Sequence, residues 1–285
     1  MTRAAEHSHA LAPAPRRKQR RPLTPKLKAG LCILGIYVLM GVFGPMLLPF
    51  DPDKSDILSR LQAPSAQHWL GTDQLGRDFL IRLLFAIRID LPVAFAASFV
   101  PMIIGTALGA IAGYYGRLTD TIVSRAADLV QAFPVYVFLL VLVFAMGSGA
   151  TSFIIAASAI AWVGYARLTR GEVLRLREME FVAAARVTGL PESRILLTHV
   201  LPNALPQTVI YFMSDVVMMV LVLSSLSFLG VGIQPPTAEW GRMIAEGQPF
   251  LRSHWWLAAA PGLMVMVFGI GLSMIGDGLD EWYQK

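Results

Sequence analysis

Long apolar runs dominate the chain and are separated by shorter polar stretches. A helix needs about 20 apolar residues to cross a hydrocarbon core of roughly 30 Å. Apolar runs of roughly this length predict an all-α, polytopic membrane helix bundle with six transmembrane helices: residues 29–50, 91–116, 129–146, 152–166, 205–230 and 255–276. The third and fourth form a predicted hairpin, because Gly-Ser-Gly-Ala-Thr at 147–151 interrupts one apolar run. The fourth is short and is expected to extend past Arg167.

Composition excludes an ordinary soluble protein. Apolar residues make up 55% of the 285 positions and charged residues 15%, whereas soluble domains carry roughly 25% charged residues. The apolar runs have no polar face that could cover a soluble core. A cytosolic enzyme, a disordered chain and a nucleic-acid-coating protein are therefore excluded. The single cysteine, Cys32, excludes a disulfide framework and a Cys-rich metal site.

Residues 1–28 are rich in Ala, Pro, Arg and Lys and too poor in apolar residues to fold. We interpret them as a basic disordered cytoplasmic tail. A signal peptide is not favoured, because the apolar run that follows is too long and no small-residue cleavage site follows it. With the N-terminus inside, 17 of the 24 Lys and Arg residues fall on the cytoplasmic side, as the positive-inside rule expects. Both termini, including the tail 277–285, are predicted to be cytoplasmic.

Residues 51–90 form the predicted extracytoplasmic loop. Glycines in its central motif allow tight turns, and Thr72 and Asp73 are candidate helix caps. Residues 78–91 alternate apolar and basic positions at helical spacing, which predicts an interfacial helix. The motif lacks the Lys-Ser/Thr ending of a phosphate loop and follows no buried strand, so nucleotide binding is not predicted. The candidate residues of this motif are Gly71, Thr72, Asp73, Gly76, Arg77 and Asp78.

Residues 167–204 form a long loop on the predicted inner side. Residues 173–187 are good helix formers, and Gly189 followed by Pro191 is a helix stop signal. A second short helix is predicted from Glu192 to His199, stopped by Pro202. Two short helices at an angle would form a docking knob. A plain connector is the alternative, although connectors between helices are usually much shorter.

At these residues the chain resembles a known family. The stretch Ala183-Ala184-Ala185-x3-Gly189-x9-His199-Val200-Leu201-Pro202 resembles the EAA signature of binding-protein-dependent ABC importer permeases. The 71–78 motif, the stretch 226–241 and the ending 276–279 resemble the second, C-type permease of the dipeptide/oligopeptide/nickel family. The resemblance covers roughly residues 27–282. Ala183 stands where the family often has an acidic residue, and Glu180 keeps the acid that often precedes it.

The resemblance implies a type I ABC importer permease fold with residues 91–276 as the core transmembrane domain. It implies that loop 167–204 couples the chain to an ATPase through Glu180, Ala183, Ala184, Ala185, Gly189, His199 and Pro202. The implied partners are a second homologous permease, two ABC ATPase subunits or a fused pair, an extracytoplasmic solute-binding protein and the lipid bilayer of a bacterial inner membrane. No nucleic acid is implied. ATP and Mg would bind to the ATPase subunits, so this chain is expected to have no cofactor, metal or catalytic residue of its own.

Asp215 is the single charge in the fifth predicted span and is followed by Met218 and Met219. A buried charge in a span indicates function. Asp215 either lines the translocation path, with the two methionines, or packs against a helix or partner. The resemblance leaves peptides, nickel and metal chelates open as solutes. It slightly favours a metal-type solute. Peptide-type members often carry an acid where Leu223 stands here, and Asp215 with Met218 and Met219 is an arrangement closer to the nickel branch.

Two other functions have less support in the sequence. A secondary transporter or channel working without ATPase partners would need inverted repeats or a charge relay, and neither is evident. A membrane-embedded hydrolase would need paired carboxylates, a metal set or a nucleophile, and the five histidines (7, 9, 68, 199 and 254) are scattered. Gly105, Gly109 and Gly113 recur every four residues, which predicts close helix packing within the chain.

Overall fold

The computed structural model describes residues 22–47 and 51–284. α-Helices account for most of these residues: α1 (Pro25–Leu47), α2 (Phe79–Tyr115), α3 (Arg117–Gln131), α4 (Val135–Met146), α5 (Ala150–Leu176), α6 (Glu180–Val187), α7 (Glu192–Ile195), α8 (Leu201–Phe228), α9 (Trp240–Gly247) and α10 (Trp256–Gln284). A π-helical turn, Leu196–Val200, joins α7 to α8. The all-α prediction is confirmed. Most of the predicted tail 1–28, and positions 48–50 of the first predicted span, lie outside the described residues.

Five helices in the described part are long and apolar enough to cross a bilayer: Pro25–Gly44, Phe79–Tyr115, Ala150–Leu176, Glu192–Phe228 and Trp256–Tyr283. α3 and α4 form a sixth candidate as a bent pair. All six predicted spans are therefore represented, the third only as a broken one. The fourth extends to Leu176, past Arg167, as expected.

The helices pack around α2. α2 lies along α5, α1 lies along α10, and α8 contacts α2, α5 and α10. The glycines at 105, 109 and 113 face α5, and a Cβ at Gly105 or Gly109 would overlap the carbonyl oxygen of Trp162 or Ala166. The predicted close packing within the chain is confirmed, and it brings the backbones of α2 and α5 into contact.

The predicted division between an interfacial helix and the second span is wrong. α2 is one continuous helix of 37 residues beginning at Phe79. Arg82 and Arg88, which favoured an interfacial location, find partners inside the protein. Arg82 donates to the carbonyl oxygens of Pro52 and Pro236 at 3.1 and 3.2 Å, and Arg88 donates to carbonyl oxygens of α1. Because these cations are hydrogen-bonded by the protein, the helix need not end at the membrane interface.

The third predicted span, 129–146, is not one straight helix. α3 ends at Gln131, and after three residues α4 begins at an angle of 83° to it. Pro134 explains the break, because proline lacks an N–H and disfavours helical geometry in the residue before it. α3 also covers residues 117–128, which lie between the second and third predicted spans. α4 has 12 residues and is therefore about 18 Å long.

The segment between α5 and α8, residues 177–200, is called the elbow. The helix predicted over 173–187 is divided between α5 and α6. The stop at Gly189 is confirmed. The stop at Pro202 is wrong, because the chain continues helically from Glu192 to Phe228. Pro202 stands in the first turn after the π-helical segment, where its missing N–H is tolerated.

Residues 51–78, between α1 and α2, form a unit called the lobe, whose helical content is one 3-10 turn at Ile57–Ser59. α2 runs from the lobe to the elbow, so these two parts lie at opposite ends of the bundle. α10 begins beside the lobe, where Trp256 Nε1 donates to the carbonyl oxygen of Leu70 at 3.1 Å. It ends beside α1, where Thr24 donates to the carbonyl oxygen of Gly278 at 3.3 Å. Both ends of the described chain therefore lie at the elbow end.

Candidate functional site

The first helix of the elbow ends in a tight glycine turn. The N–H of Gly189 donates to the carbonyl oxygen of Arg186 at 3.0 Å, and that of Leu190 to the carbonyl oxygen of Ala185 at 3.4 Å. Gly189 has φ +77°, a conformation that costs glycine little and other residues more. This turn ends α6 and leads into α7.

α6 has an inner and an outer face. Val182 and Ala185 are buried in a small apolar cluster with Tyr114 of α2 and Ile195 of α7. This cluster is separate from the main membrane core. The outer face is exposed and carries Glu180, Ala183, Ala184 and Val187. The three consecutive alanines are therefore divided, with two facing outward and one holding the helix down.

The last two predicted residues of this region lie at the base of α8. His199 is in the π-helical turn, with Nδ1 2.7 Å from the hydroxyl of Thr198. Pro202 is exposed in the first turn of α8. Both belong to the continuous helical segment Glu192–Phe228. The other predicted residues belong to α6 and its turn.

Three side chains from different helices meet where the elbow contacts α2, and they are called the clasp: Tyr114 of α2, Arg186 of α6 and Glu192 of α7. The Tyr114 hydroxyl donates to the Glu192 carboxylate. Arg186 Nε lies 3.2 Å from Glu192 Oε1, and its guanidinium lies 5.9 Å from the centre of the Tyr114 ring. The clasp ties both elbow helices to the last turn of α2. Nothing in the spacing of these three residues indicates that they meet.

Asp215 lies in the middle of α8 and is buried, with 8% of its surface exposed. The Tyr165 hydroxyl, from α5, donates to Asp215 Oδ2 at 2.8 Å. The ring of Tyr211 packs edge-on against that of Tyr165, with 4.8 Å between their centres. The carboxylate therefore has a fixed donor on the side that faces α5.

A cleft of about 290 Å³ opens beside Asp215. α4, α5 and α8 and the end of α3 line it with mainly apolar side chains, to which Gln131, Tyr136 and Tyr211 add polar groups. Met218 and Met219 also line it, so the structure brings together the three residues predicted for the path. Asp215 packs against Tyr165, as one of the two alternatives expects, and also borders the cleft; its place in a translocation path stays a prediction.

Tyr165 and Tyr211 were not predicted as site residues. A polar side chain in the apolar run that forms α5 is a signal that could have identified Tyr165. Its partner could not have been identified, because Asp215 lies 50 positions further along the chain.

In the lobe, two glycines make the turns that the sequence predicts. Gly71 and Gly76 both have φ +74°. A Cβ at Gly71 would overlap the carbonyl oxygen of Gln62, and one at Gly76 would overlap that of Asp56. The motif therefore depends on backbone contacts that only glycine allows at these positions.

Charged side chains of the motif form a buried network at the start of α2. Arg77 Nε lies 2.6 Å from Asp73 Oδ2, and Arg82 Nε lies 3.4 Å from the same oxygen. Arg77 also contacts Glu246 of α9 at 3.2 Å. These side chains are at most 16% exposed. The network joins the lobe to α2 and to the segment between α8 and α10.

The structure corrects the expected helix caps in this motif. Asp78 is the N-cap of α2 and accepts the N–H of Ile81 at 2.9 Å. Its other oxygen lies 2.8 Å from His68 Nδ1. Thr72 instead accepts the N–H of Gln62 at 2.9 Å, and Asp73 binds arginine. Asp78 takes the capping position because it directly precedes the helix.

A second buried contact holds α9 against α2. Asp90 Oδ2 accepts the N–H of Trp240 at 3.0 Å, and Trp240 Nε1 donates to the carbonyl oxygen of Leu83 at 3.3 Å. Glu239 caps α9 by accepting the N–H groups of Gly241 and Arg242. Burial raises the pKa of the Glu239 carboxyl, against the opposing effect of these two donors. α9 and this contact were not predicted.

Within residues 22–47 and 51–284, no group of three or more His, Cys, Asp or Glu side chains is placed to hold a metal ion.

Comparison with known families identifies two matching regions. Residues 105–285 match the family described as binding-protein-dependent transport system inner membrane component. Residues 28–64 match the N-terminal TM domain of oligopeptide transport permease C. The first match covers more than half of the chain and includes the elbow and the cleft.

Similar curated proteins are transport permeases. The chain is 38% identical to the dipeptide transport system permease protein DppC of Alkalihalophilus pseudofirmus, covering 88% of this chain and 83% of that one. It is 34% identical to the nickel transport system permease protein NikC of Escherichia coli K12, covering 90% and 92%. It is 35% identical to the glutathione transport system permease protein GsiD of Pectobacterium atrosepticum, covering 89% and 84%.

Solved structures show the same fold. A chain of the inward-facing MetNI methionine ABC transporter matches with a TM-score of 0.56 and 17% identity, covering 69% of this chain and 93% of that one. The type I importer permease fold expected from the resemblance is confirmed. The chain belongs to the family of binding-protein-dependent transport system inner membrane components, and it is a multi-pass inner-membrane permease of an ABC importer rather than an enzyme.

Proposed function

We propose that this permease forms half of a translocation path for a short peptide or a nickel chelate, and that ATP hydrolysis by partner subunits opens the path through the elbow. A second homologous permease would complete the path. Two ATPase subunits, or a fused pair, would bind ATP and Mg. A solute-binding protein would deliver the solute to the lobe side of the membrane. In this proposal the elbow and both termini are cytoplasmic.

The two-faced structure of the elbow is the observation that carries this proposal. The outer face of α6 is smooth at Ala183 and Ala184 and apolar at Val187, which is 88% exposed. Such a surface fits a groove on another protein. Its inner face is held by Val182 and Ala185, so a push on α6 would reach the membrane helices instead of bending a loose connector.

The cleft beside Asp215 supports the position of the path. It lies between α4, α5 and α8, and α5 and α8 are the two helices that enter and leave the elbow. A change in elbow position would therefore change the cleft. Its mixture of an acidic group, aromatic rings and two methionines suits a small solute with both cationic and apolar parts.

The names of the relatives support the solute class. Similar permeases serve dipeptide, nickel and glutathione transport systems. The proposal therefore extends to short peptides and metal chelates, and the solute-binding protein would choose between them.

Labelling of single cysteines tests the orientation. Cys32 is the single native cysteine and is exposed on α1, so it is first replaced by alanine. Ser193 of the elbow and Ser55 of the lobe are both exposed and provide matched positions for Ser→Cys variants. In intact cells from which any outer membrane has been removed, a membrane-impermeant maleimide should label S55C and not S193C. Inverted vesicles should show the opposite pattern. Labelling of S193C in intact cells would overturn the proposal.

A further inference from the structure

α2 connects the two ends of the molecule. Its 37 residues correspond to about 55 Å, which exceeds the roughly 30 Å of a bilayer core. One end carries the cap Asp78 beside the lobe, and the other carries Tyr114 beneath the elbow. A single helix therefore reaches from the elbow to the lobe.

The elbow end of α2 is attached through polar contacts. The Tyr114 side chain is 6% exposed and binds Glu192, which also pairs with Arg186. Arg177, just after α5, donates to the carbonyl oxygen of Gly113 at 2.9 Å. The last turn of α2 is thus bound to the helices on both sides of the Gly189 turn.

The elbow-side third of α2 packs closely against α5. At Gly113 a Cβ would come within 2.8 Å of the carbonyl oxygen of Arg170, and the two preceding glycines of the stripe lie closer still to α5. Helices packed backbone to backbone cannot slide past each other without a clash. This packing holds α2 against α5, whereas the contacts of α2 with α6 and α7 are those of the elbow cluster and the clasp.

The lobe end of α2 is attached to both segments at that end of the bundle. Arg82 binds backbone of the lobe at Pro52 and of the α8–α9 segment at Pro236. Asp90 holds the start of α9 through the Trp240 N–H. A shift of α2 would therefore move the lobe and α9 together.

We propose that Tyr114, Arg186 and Glu192 act as positioning residues that transmit movement of α6 to α2, so that the elbow drives the lobe through α2 as well as the cleft through α5 and α8. This inference rests on the proposed function, because it requires an ATPase at the elbow. The clasp itself need not touch the ATPase.

The Tyr114→Phe variant tests this route, because it removes the hydroxyl and keeps the ring that packs in the elbow cluster. The matched control is Tyr115→Phe, whose ring is 48% exposed. Both variants are prepared as the full complex in proteoliposomes with the solute-binding protein. The measurements are retention of the ATPase subunits, ATP hydrolysis and solute transported per ATP.

Tyr114→Phe should retain the ATPase subunits and hydrolyse ATP, while solute transported per ATP falls about tenfold, the change expected from losing one charge-assisted hydrogen bond. Tyr115→Phe should match the wild type. Glu192→Gln provides a second test, and it should lower the same ratio while the ATPases remain bound.

Four outcomes are distinguishable. If both Tyr114→Phe and Glu192→Gln transport as much solute per ATP as the wild type, the proposed role of the clasp is overturned and the proposed function is unaffected. Loss of the ATPase subunits in Tyr114→Phe would also overturn it, because the hydroxyl would then serve assembly and not transmission. A reduced ratio with the complex intact supports the clasp. A wild-type chain that binds no ATPase would overturn the proposed function, and the clasp would fall with it.

Discussion

The Tyr165 hydroxyl donates a hydrogen bond to Asp215 Oδ2 at 2.8 Å and so joins α5 to α8 at the cleft. These are the two helices on either side of the elbow. The acidic group of the proposed path is therefore oriented by the helix that enters the elbow and carried by the helix that leaves it.

Asp215→Asn should lower transport about tenfold, because the negative charge that attracts a cationic part of the solute is lost; this corresponds to roughly 1.4 kcal/mol. Asparagine retains an oxygen that can accept from Tyr165, so the complex should assemble normally. Uptake into proteoliposomes and recovery of the intact complex are the measurements. Ser214→Ala, at an exposed neighbouring position, is the control. Wild-type uptake by the Asn variant would assign Asp215 to packing alone.

Ala184→Arg should reduce ATPase co-purification about 30-fold, the effect of losing an interface hot spot of about 2 kcal/mol. Ala184 is exposed, so the arginine fits without disturbing the fold. Ala185→Arg is the contrasting variant. It places a charge in the buried cluster and should reduce the amount of folded chain in the membrane.

A result in which Ala184→Arg binds the ATPases as well as the wild type would place the docking surface elsewhere.

Gly189→Pro should also prevent coupling, since proline cannot adopt the φ of +77° that the turn requires. Membrane insertion, followed by extraction with carbonate, should be unchanged in both variants.

Gly109→Ala should destabilise the protein by about 1–3 kcal/mol, because the new methyl group would collide with the backbone of α5 at Ala166. Gly35→Ala is its control in another membrane helix, where nothing lies within 4 Å. That variant should be neutral or stabilising, because alanine favours a helix over glycine by about 1 kcal/mol. Thermal unfolding in detergent measures both, and equal shifts in the two variants would contradict the close packing.

Arg82→Met should destabilise the attachment of the lobe by about 3–5 kcal/mol, because removing one partner leaves Asp73 and Glu246 short of positive charge in a buried network. Arg60→Met, at an exposed position of the lobe, should cost less than 1 kcal/mol. Limited proteolysis at the lobe and thermal unfolding are the measurements. Equal protease sensitivity of the two variants would show that the buried network does not hold the lobe.

The apolar pattern predicted the spans because lipid requires long, uncharged helices, and the Gly189 stop and the glycine stripe follow from properties of glycine alone. The errors in the third span and at Pro202 arose at prolines, whereas the predicted start of the second span failed because tertiary contacts satisfy charges that a sequence shows as unpaired. Arg82 is the clearest case, since its partners at Pro52 and Pro236 lie 30 and 154 positions away.

The candidate site also contains some residues that the sequence could identify and others that it could not. Asp215 could be singled out because a lone carboxylate in an apolar run is conspicuous. Tyr114, Arg186 and Glu192 could not, because each is an ordinary residue for its local environment. Their relationship exists only after α2, α6 and α7 have been brought together, with up to 78 positions between the partners.

The short α4 has a consequence for how the chain is solvated. At about 18 Å it covers little more than half of the hydrocarbon thickness, and the Pro134 corner at its start adjoins the opening beside Asp215. Acyl chains are poor neighbours for a carboxylate and for a proline-broken backbone. Around a single copy of the chain, the bilayer would have to become thinner beside α4 and the cleft, or water would have to enter there. In the proposed function the second permease would cover this face and so remove that cost of solvation.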